Sequence, residues 1–230
     1  MITRRRISIF ISSLAISFLL AVPQAMTAQN RKKVVVEQPD TVPFFNGFAV
    51  FVDVVGSVQL AVSDYGQYEA GLRVNLKDRY FPTLEVGLGK ADHLEETTLV
   101  GYKTSALYGK IGCDFNLVKN KHDIYRILGG VRYAYTSFKY DLSHPGVTDP
   151  VWGGESPYGG DGISCSYHWM EFLAGVDAKI WGPLHLGWTV RYRKRIASDE
   201  GVMGNAWYVP GFGKTGNSCI GGTFTVTIDI

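Results

Sequence analysis

Beyond Val22 the chain has no apolar run long enough to cross a bilayer as a helix, so any crossing would have to be made by strands. Cysteine is scarce: Cys113, Cys165 and Cys219 are the only three, an odd number that cannot all pair within one chain. Beyond Arg4 to Arg6, the basic residues form no stripe. The 23 lysines and arginines are interleaved with 21 acidic residues, which excludes a nucleic-acid partner. The five histidines, His93, His122, His144, His168 and His185, are scattered without ligand spacing, so neither a metal nor a cofactor is expected. Gly213-Lys214-Thr215 echoes the end of a phosphate-binding loop. Tyr208 stands where that loop needs its first glycine, and no nucleotide site is read there.

What the chain does have begins with an export pattern. Arg4, Arg5 and Arg6 precede an apolar run from Ile7 to Val22, and small residues between Ala25 and Ala28 offer a cut. A signal peptide is expected over 1–28. Its removal takes lysine plus arginine from 23 to 20 against 21 acids, a mature net charge of −1. Residues 29–45, broken by Pro39 and Pro43, are expected to form an exposed periplasmic leader.

From Asn46 onward side chains alternate between apolar and polar at each step, the period of a strand with unlike phases on its two faces. Eight strands are expected, over 46–55, 66–76, 80–90, 101–117, 123–139, 164–181, 184–196 and 219–230. Short joints at Lys77 to Arg79, Val118 to His122 and Gly182-Pro183 take turns with long ones at 56–65, 91–100, 140–163 and 197–218. That rhythm predicts an all-β fold, an eight-stranded antiparallel up-and-down transmembrane barrel over 46–230.

The charges sort to one face. Glu69, Arg73, Glu85, Lys110, Asp114, Arg126, Arg132, Glu171, Asp177, Lys179, Arg191, Arg193 and Asp229 share the polar parity of their strands. Turned inward they can neutralise one another, whereas an Arg or Lys facing lipid near the midplane costs roughly 2–4 kcal/mol. An eight-stranded barrel is just wide enough for side chains to fill, so the lumen is expected to be polar and closed. Gly71, Gly87, Gly109, Gly112, Gly130, Gly175 and Gly187 are read as making room for long inward groups. Tyr80, Phe81, Tyr102, Tyr125, Tyr135, Tyr140, Trp181 and Tyr192, near strand ends, are expected in interfacial girdles. Cys113 reads as a small lipid-facing residue. Cys165 and Cys219 start strands that another strand separates by about 9–10 Å, beyond the ~7 Å reach of a disulfide unless loops fold inward.

The eight-strand rhythm resembles the small outer-membrane barrels of the OmpA and OmpX type, except that the chain finishes on Ile230 where those usually finish on an aromatic residue. The stretches Ser63-Asp64-Tyr65-Gly66-Gln67-Tyr68-Glu69, Asn75-Leu76-Lys77-Asp78-Arg79-Tyr80 and Trp181-Gly182-Pro183-Leu184-His185-Leu186-Gly187-Trp188 also resemble a family of uncharacterised exported proteins of Gram-negative envelopes. That likeness implies no activity.

The expected function is that of a non-enzymatic outer-membrane barrel whose outer loops contact lipopolysaccharide, glycan or an envelope protein. Trp152 and Tyr158 in one loop and Trp207, Tyr208 and Phe212 in another are the recognition candidates, since exposed aromatics supply contact area at modest entropy cost. The same rings could instead pack together and cap the barrel. An alternative is a lipid A-modifying acyl hydrolase or transferase built on Ser166 and His168, two apart on one strand face. Glu171 has the opposite parity, so that chemistry needs another acid. A soluble periplasmic β-barrel is the remaining alternative.

Overall fold

The computed structural model describes residues 43–230, except 120–122, 149–152, 154, 157–158 and 205. The expected signal peptide, the leader as far as residue 42, and the candidates Trp152 and Tyr158 lie outside the described residues.

Eight long strands form the wall: β1 (Phe45–Asp53), β2 (Tyr65–Leu76), β3 (Tyr80–Leu94), β4 (Gly101–Asn116), β5 (Tyr125–Ser143), β6 (Gly160–Trp181), β7 (Leu184–Asp199) and β8 (Ser218–Asp229). Each pairs antiparallel with the next, and β1 closes the ring on β8 through the register from Ala49 opposite Asp229 to Asp53 opposite Thr225. The ring is the closed up-and-down barrel that the alternation predicts. At the end carrying the chain termini of the ring the turns are short. Lys77 and Asp78 adopt positive φ there, and the Asn75 and Asn46 amides both donate to the Asp78 carboxylate.

At the opposite end several strands outrun their expected limits: β3 continues to Leu94, β5 to Ser143 and β7 to Asp199, while β6 starts at Gly160. The pairing goes on above the apolar part of the wall, where the outer face turns polar and the alternation that marks a strand fades.

One stretch is corrected outright. Residues 54–62 form a helix, α1 (Val54–Val62), in place of the end of a strand and a loop. The Asp53 carboxylate accepts from the backbone N–H of Val55 and of Gly56, each at 3.1 Å, a cap that turns the chain out of its strand in spite of four β-favouring valines. β1 therefore stops partway up the wall, its last pairing to β2 being Val52 with Ala70. Above that level α1 stands between β2 and β8, with Leu60 so close to Gly66 that a Cβ there would lie 2.4 Å from the Leu60 nitrogen.

The two faces of the wall differ as their parity requires. Outside, Leu84, Val86, Leu107, Ile111, Val176, Trp188 and Val190 are each more than half exposed. On β3 the outward apolar residues run from Tyr80 to Leu88, a belt about 20–25 Å tall once strand tilt is allowed for. Inside, Glu85, Asp114 and Glu171 are wholly buried, and Lys110, Arg132 and Arg191 nearly so.

Candidate functional site

The lumen is filled at mid-height by an ion network whose members come from β2 to β7. Lys110 on β4 lies 2.8 Å from Glu69 on β2 and 3.0 Å from Glu171 on β6. Arg191 on β7 lies 2.7 Å from Glu69, 3.2 Å from Glu85 on β3 and 3.6 Å from Glu171. Arg132 on β5 grips Glu85 and sits 2.8 Å from Asp114, which Arg73 meets from the far side at 3.4 Å. Arg193 closes the upper end on Glu171 at 3.0 Å. Two neutral donors that sequence reasoning did not single out complete the carboxylates: the Tyr108 hydroxyl donates to Glu69 at 2.8 Å and the Trp169 indole to Glu171 at 3.0 Å. Taking these charges from water is costly, and only a set in which every carboxylate meets cations can sit there.

Space for the network comes from inward glycines. A Cβ on Gly87 would fall 2.2 Å from the Tyr108 ring, and one on Gly130 would fall 2.2 Å from the Asp114 carboxylate. Gly109 is different, because it faces outward and its nearest atom would be 4.0 Å away.

Nearer the turns a second cluster forms. His185 on β7 bridges Asp177, at 3.0 Å, and Asp229, at 2.9 Å, and Arg126 approaches Asp177 at 3.7 Å. Parity places His185 on the inner face with Arg191 and Arg193, where the structure finds it. Lys179, grouped with the lumen charges on its parity, is exposed instead: it lies so close to the end of β6 that the lumen no longer covers it.

Above the ions sits an aromatic plug. The segment after β7 folds back into the barrel mouth, and Tyr208, Val209 and Phe212 are almost fully buried. Phe212 packs edge-on against Trp169, with ring centres 5.8 Å apart. Wall residues hold the backbone of this segment. Tyr102 donates to the Tyr208 carbonyl at 2.7 Å, Tyr167 to that of Gly216 at 3.2 Å, and Arg193 to that of Phe212 at 2.9 Å. Burial pushes the Tyr208 hydroxyl up from its ordinary pKa, so it stays protonated and donates to the Gly66 carbonyl at 3.1 Å.

This arrangement corrects two expectations. Tyr208 and Phe212 are not surface contacts, because the apolar gain of filling the mouth draws them inward; the capping alternative describes them. Trp207 is half-buried and stacks on His93, with centres 4.2 Å apart. Phe81, Tyr102 and Tyr140 are not girdle residues either, being 1%, 4% and 2% exposed inside the barrel, whereas Tyr80, Tyr125, Tyr135, Trp181 and Tyr192 do face outward.

Ser166 and His168 lie on the outer face of β6, and Glu171 points inward, as parity requires. The His168 ring is engaged by the Tyr133 hydroxyl at 2.6 Å and packs 4.6 Å from the Tyr135 ring. No carboxylate meets it among the described residues, so the structure brings no orienting acid to this pair. All three cysteines are free thiols: Cys113 on an outward position of β4, Cys165 buried and Cys219 half-buried.

The chain is similar in structure to Neisserial surface protein A, with 13% identity over 81% of this chain and 99% of that one and a TM-score of 0.45. It is also similar to a major outer membrane protein from Thermus thermophilus, with 12% identity, 80% and 98% coverage and a TM-score of 0.46. A further similarity is to Ail, the attachment invasion locus protein of Yersinia pestis, solved in complex with the heparin analogue sucrose octasulfate: 9% identity, 80% and 93% coverage, TM-score 0.37. No curated protein matches the sequence. Over residues 7–230, nearly its whole length, the chain belongs to the family described as a domain of unknown function, DUF6048.

Proposed function

We propose that this protein is an exported, non-enzymatic outer-membrane barrel with a closed lumen, whose loop end contacts envelope glycan, lipopolysaccharide or a protein partner. Residues 1–28 act as the signal peptide and 29–45 as a periplasmic leader. The observation that carries the reading is the opposite sorting of the wall: buried ions within, a continuous apolar belt without. Water outside such a belt would be in contact with far more apolar surface than a soluble monomer exposes. Hydrocarbon removes that penalty.

A lumen filled by ions and then by aromatic rings leaves the loop end as the face for partners. Leu94, Leu99, Val202 and Met203 stand exposed there. These apolar tips on a rigid wall supply contact area beyond the membrane surface.

Cell fractionation followed by electrophoresis of unheated and boiled samples tests the proposal. An outer-membrane band that changes mobility on boiling, begins at Gln29 and gives no steady conductance in planar bilayers is the expected result. A chain of unchanged mobility in the soluble periplasmic fraction would overturn it.

A further inference from the structure

Along β3 and β4 the outer wall changes character within one outward step. Leu88 is followed by Lys90 on β3, and Leu107 is preceded by Ser105 on β4. Below the change lies a hollow of about 450 Å³ lined by Val52, Val54, Tyr68, Val86, Leu88 and Leu107. Above it lies another of about 780 Å³, reached by Lys90, Lys103 and Lys139. Helix α1 forms a rim of both, with Val54 and Ser57 at the lower hollow and Leu60, followed by Ser63, at the upper. Because β1 gives way to this helix, the wall has a groove here that an uninterrupted strand would have flattened.

The upper hollow carries three aspartates beside its three lysines, and the way they pair decides which ammonium groups are left over. Asp92 is neutralised by Lys103 at 2.9 Å; Asp64 meets the His93 ring at 3.0 Å, and Asp141 accepts from the Gly162 backbone N–H at 2.7 Å and keeps its charge. The ammonium groups of Lys90 and Lys139 have no partner among the described residues. Lys90 lies opposite Ser105, and Lys139 opposite Ser164. Being on β3 and β5, the two lysines are separated by two strand spacings, about 10 Å at the backbone. Two flexible four-carbon stems close that gap onto one anion.

We infer that this groove binds a membrane lipid with a phosphate headgroup, its acyl chain in the lower hollow and its phosphate between Lys90 and Lys139. The inference rests on the proposal that the belt lies in a bilayer. The boundary between Leu88 and Lys90 then falls where hydrocarbon gives way to headgroups, and cationic side chains at that height attract anionic lipid. The ligand is thus an amphiphile, because the hollow with the two unpartnered lysines and the apolar hollow adjoin along β3 and β4.

Native mass spectrometry of the full protein in a neutral detergent tests this. The probes are dioleoyl phosphatidic acid, dioleoylglycerol as its phosphate-free counterpart, and inorganic phosphate. The expected result is one phosphatidic acid retained per barrel, with dioleoylglycerol and inorganic phosphate each bound at least tenfold more weakly. The double variant Lys90→Gln/Lys139→Gln should retain phosphatidic acid roughly thirtyfold less, given about 1 kcal/mol for each of the two lysines near a membrane surface. Lys194→Gln, an exposed lysine on β7 across the barrel, should retain it as the wild type does. Equal retention by the double variant overturns the site. Inorganic phosphate binding as tightly as the lipid overturns the amphiphile and leaves a soluble-anion site. Each variant is checked for the mobility change on boiling, so a misfolded protein is recognised. Absence of that change in the wild type would count against the membrane proposal itself, separately from the lysine site.

Discussion

Arg191 and Glu69 meet at 2.7 Å across the barrel, from β7 and β2, strands that are not neighbours in the wall. A strand ladder links only adjacent strands, so this pair braces the cylinder where backbone hydrogen bonds cannot. Replacing Arg191 with Met leaves Glu69, Glu85 and Glu171 with fewer cations around them. Breaking such a buried set costs about 3–5 kcal/mol. Urea unfolding in detergent, followed by tryptophan fluorescence, should show that loss. The double change Glu69→Gln/Arg191→Gln should cost less than the sum of the two single changes, since the partners then leave together.

Gly87 and Gly109 offer a matched comparison, as each lies one step from the other's cross-strand partner on β3 and β4. Gly87→Ala forces the Tyr108 ring away from Glu69 and should destabilise the barrel by about 1–3 kcal/mol. Gly109→Ala meets nothing closer than 4.0 Å and should fall within about 0.5 kcal/mol of wild type. Thermal melts of both proteins in the same detergent decide this; equal losses would contradict the assigned faces.

Tyr102 holds the plug by one hydrogen bond to the Tyr208 carbonyl. Tyr102→Phe removes that bond and keeps the ring, at a cost of about 1 kcal/mol. Hydrogen exchange should therefore quicken across 206–213 while protection in β4 and β5 is unchanged. Exchange rising equally in the strands would mean that the plug and wall open as one unit.

An arginine on the belt reports the surrounding phase. Ile111 is 62% exposed on the outer face of β4. Ile111→Arg should cost about 2–4 kcal/mol when the protein is refolded into vesicles of phosphatidylcholine. A change within about 0.5 kcal/mol, the ordinary value for a watery surface, would speak for a soluble barrel.

The strands and their faces were legible because two unlike phases impose a period of two on every side chain between them. Charges marked the inner face on β2 to β7, and the same parity would have put Tyr102 with Lys110, Phe81 with Glu85 and Tyr140 with Arg132. Reading those rings as interfacial considered their distance from the strand end and neglected their direction. Helix α1 was hidden for another reason. Val-Val-Gly-Ser-Val has the composition of a strand, and its helical form depends on the Asp53 cap, with Asp53 also accepting from the Phe224 backbone at 3.2 Å on β8. That partner is distant in sequence. The plug was equally out of reach of local pattern, since Phe212 is drawn inward by Trp169 and Arg193, which the fold alone brings beneath it. Lys90 and Lys139 gain meaning only once the pairing of their neighbours is known.

Trp188 and Trp169 provide the most direct measurement on the whole account, because Trp188 is 53% exposed on the outer wall and Trp169 is wholly buried inside. Single-tryptophan proteins, with the remaining tryptophans changed to Phe, are folded into vesicles whose acyl chains carry bromine. Strong quenching of Trp188 with Trp169 fluorescence nearly intact is the expected outcome. Unquenched Trp188, with the protein recovered in the aqueous supernatant, would contradict a barrel set in hydrocarbon.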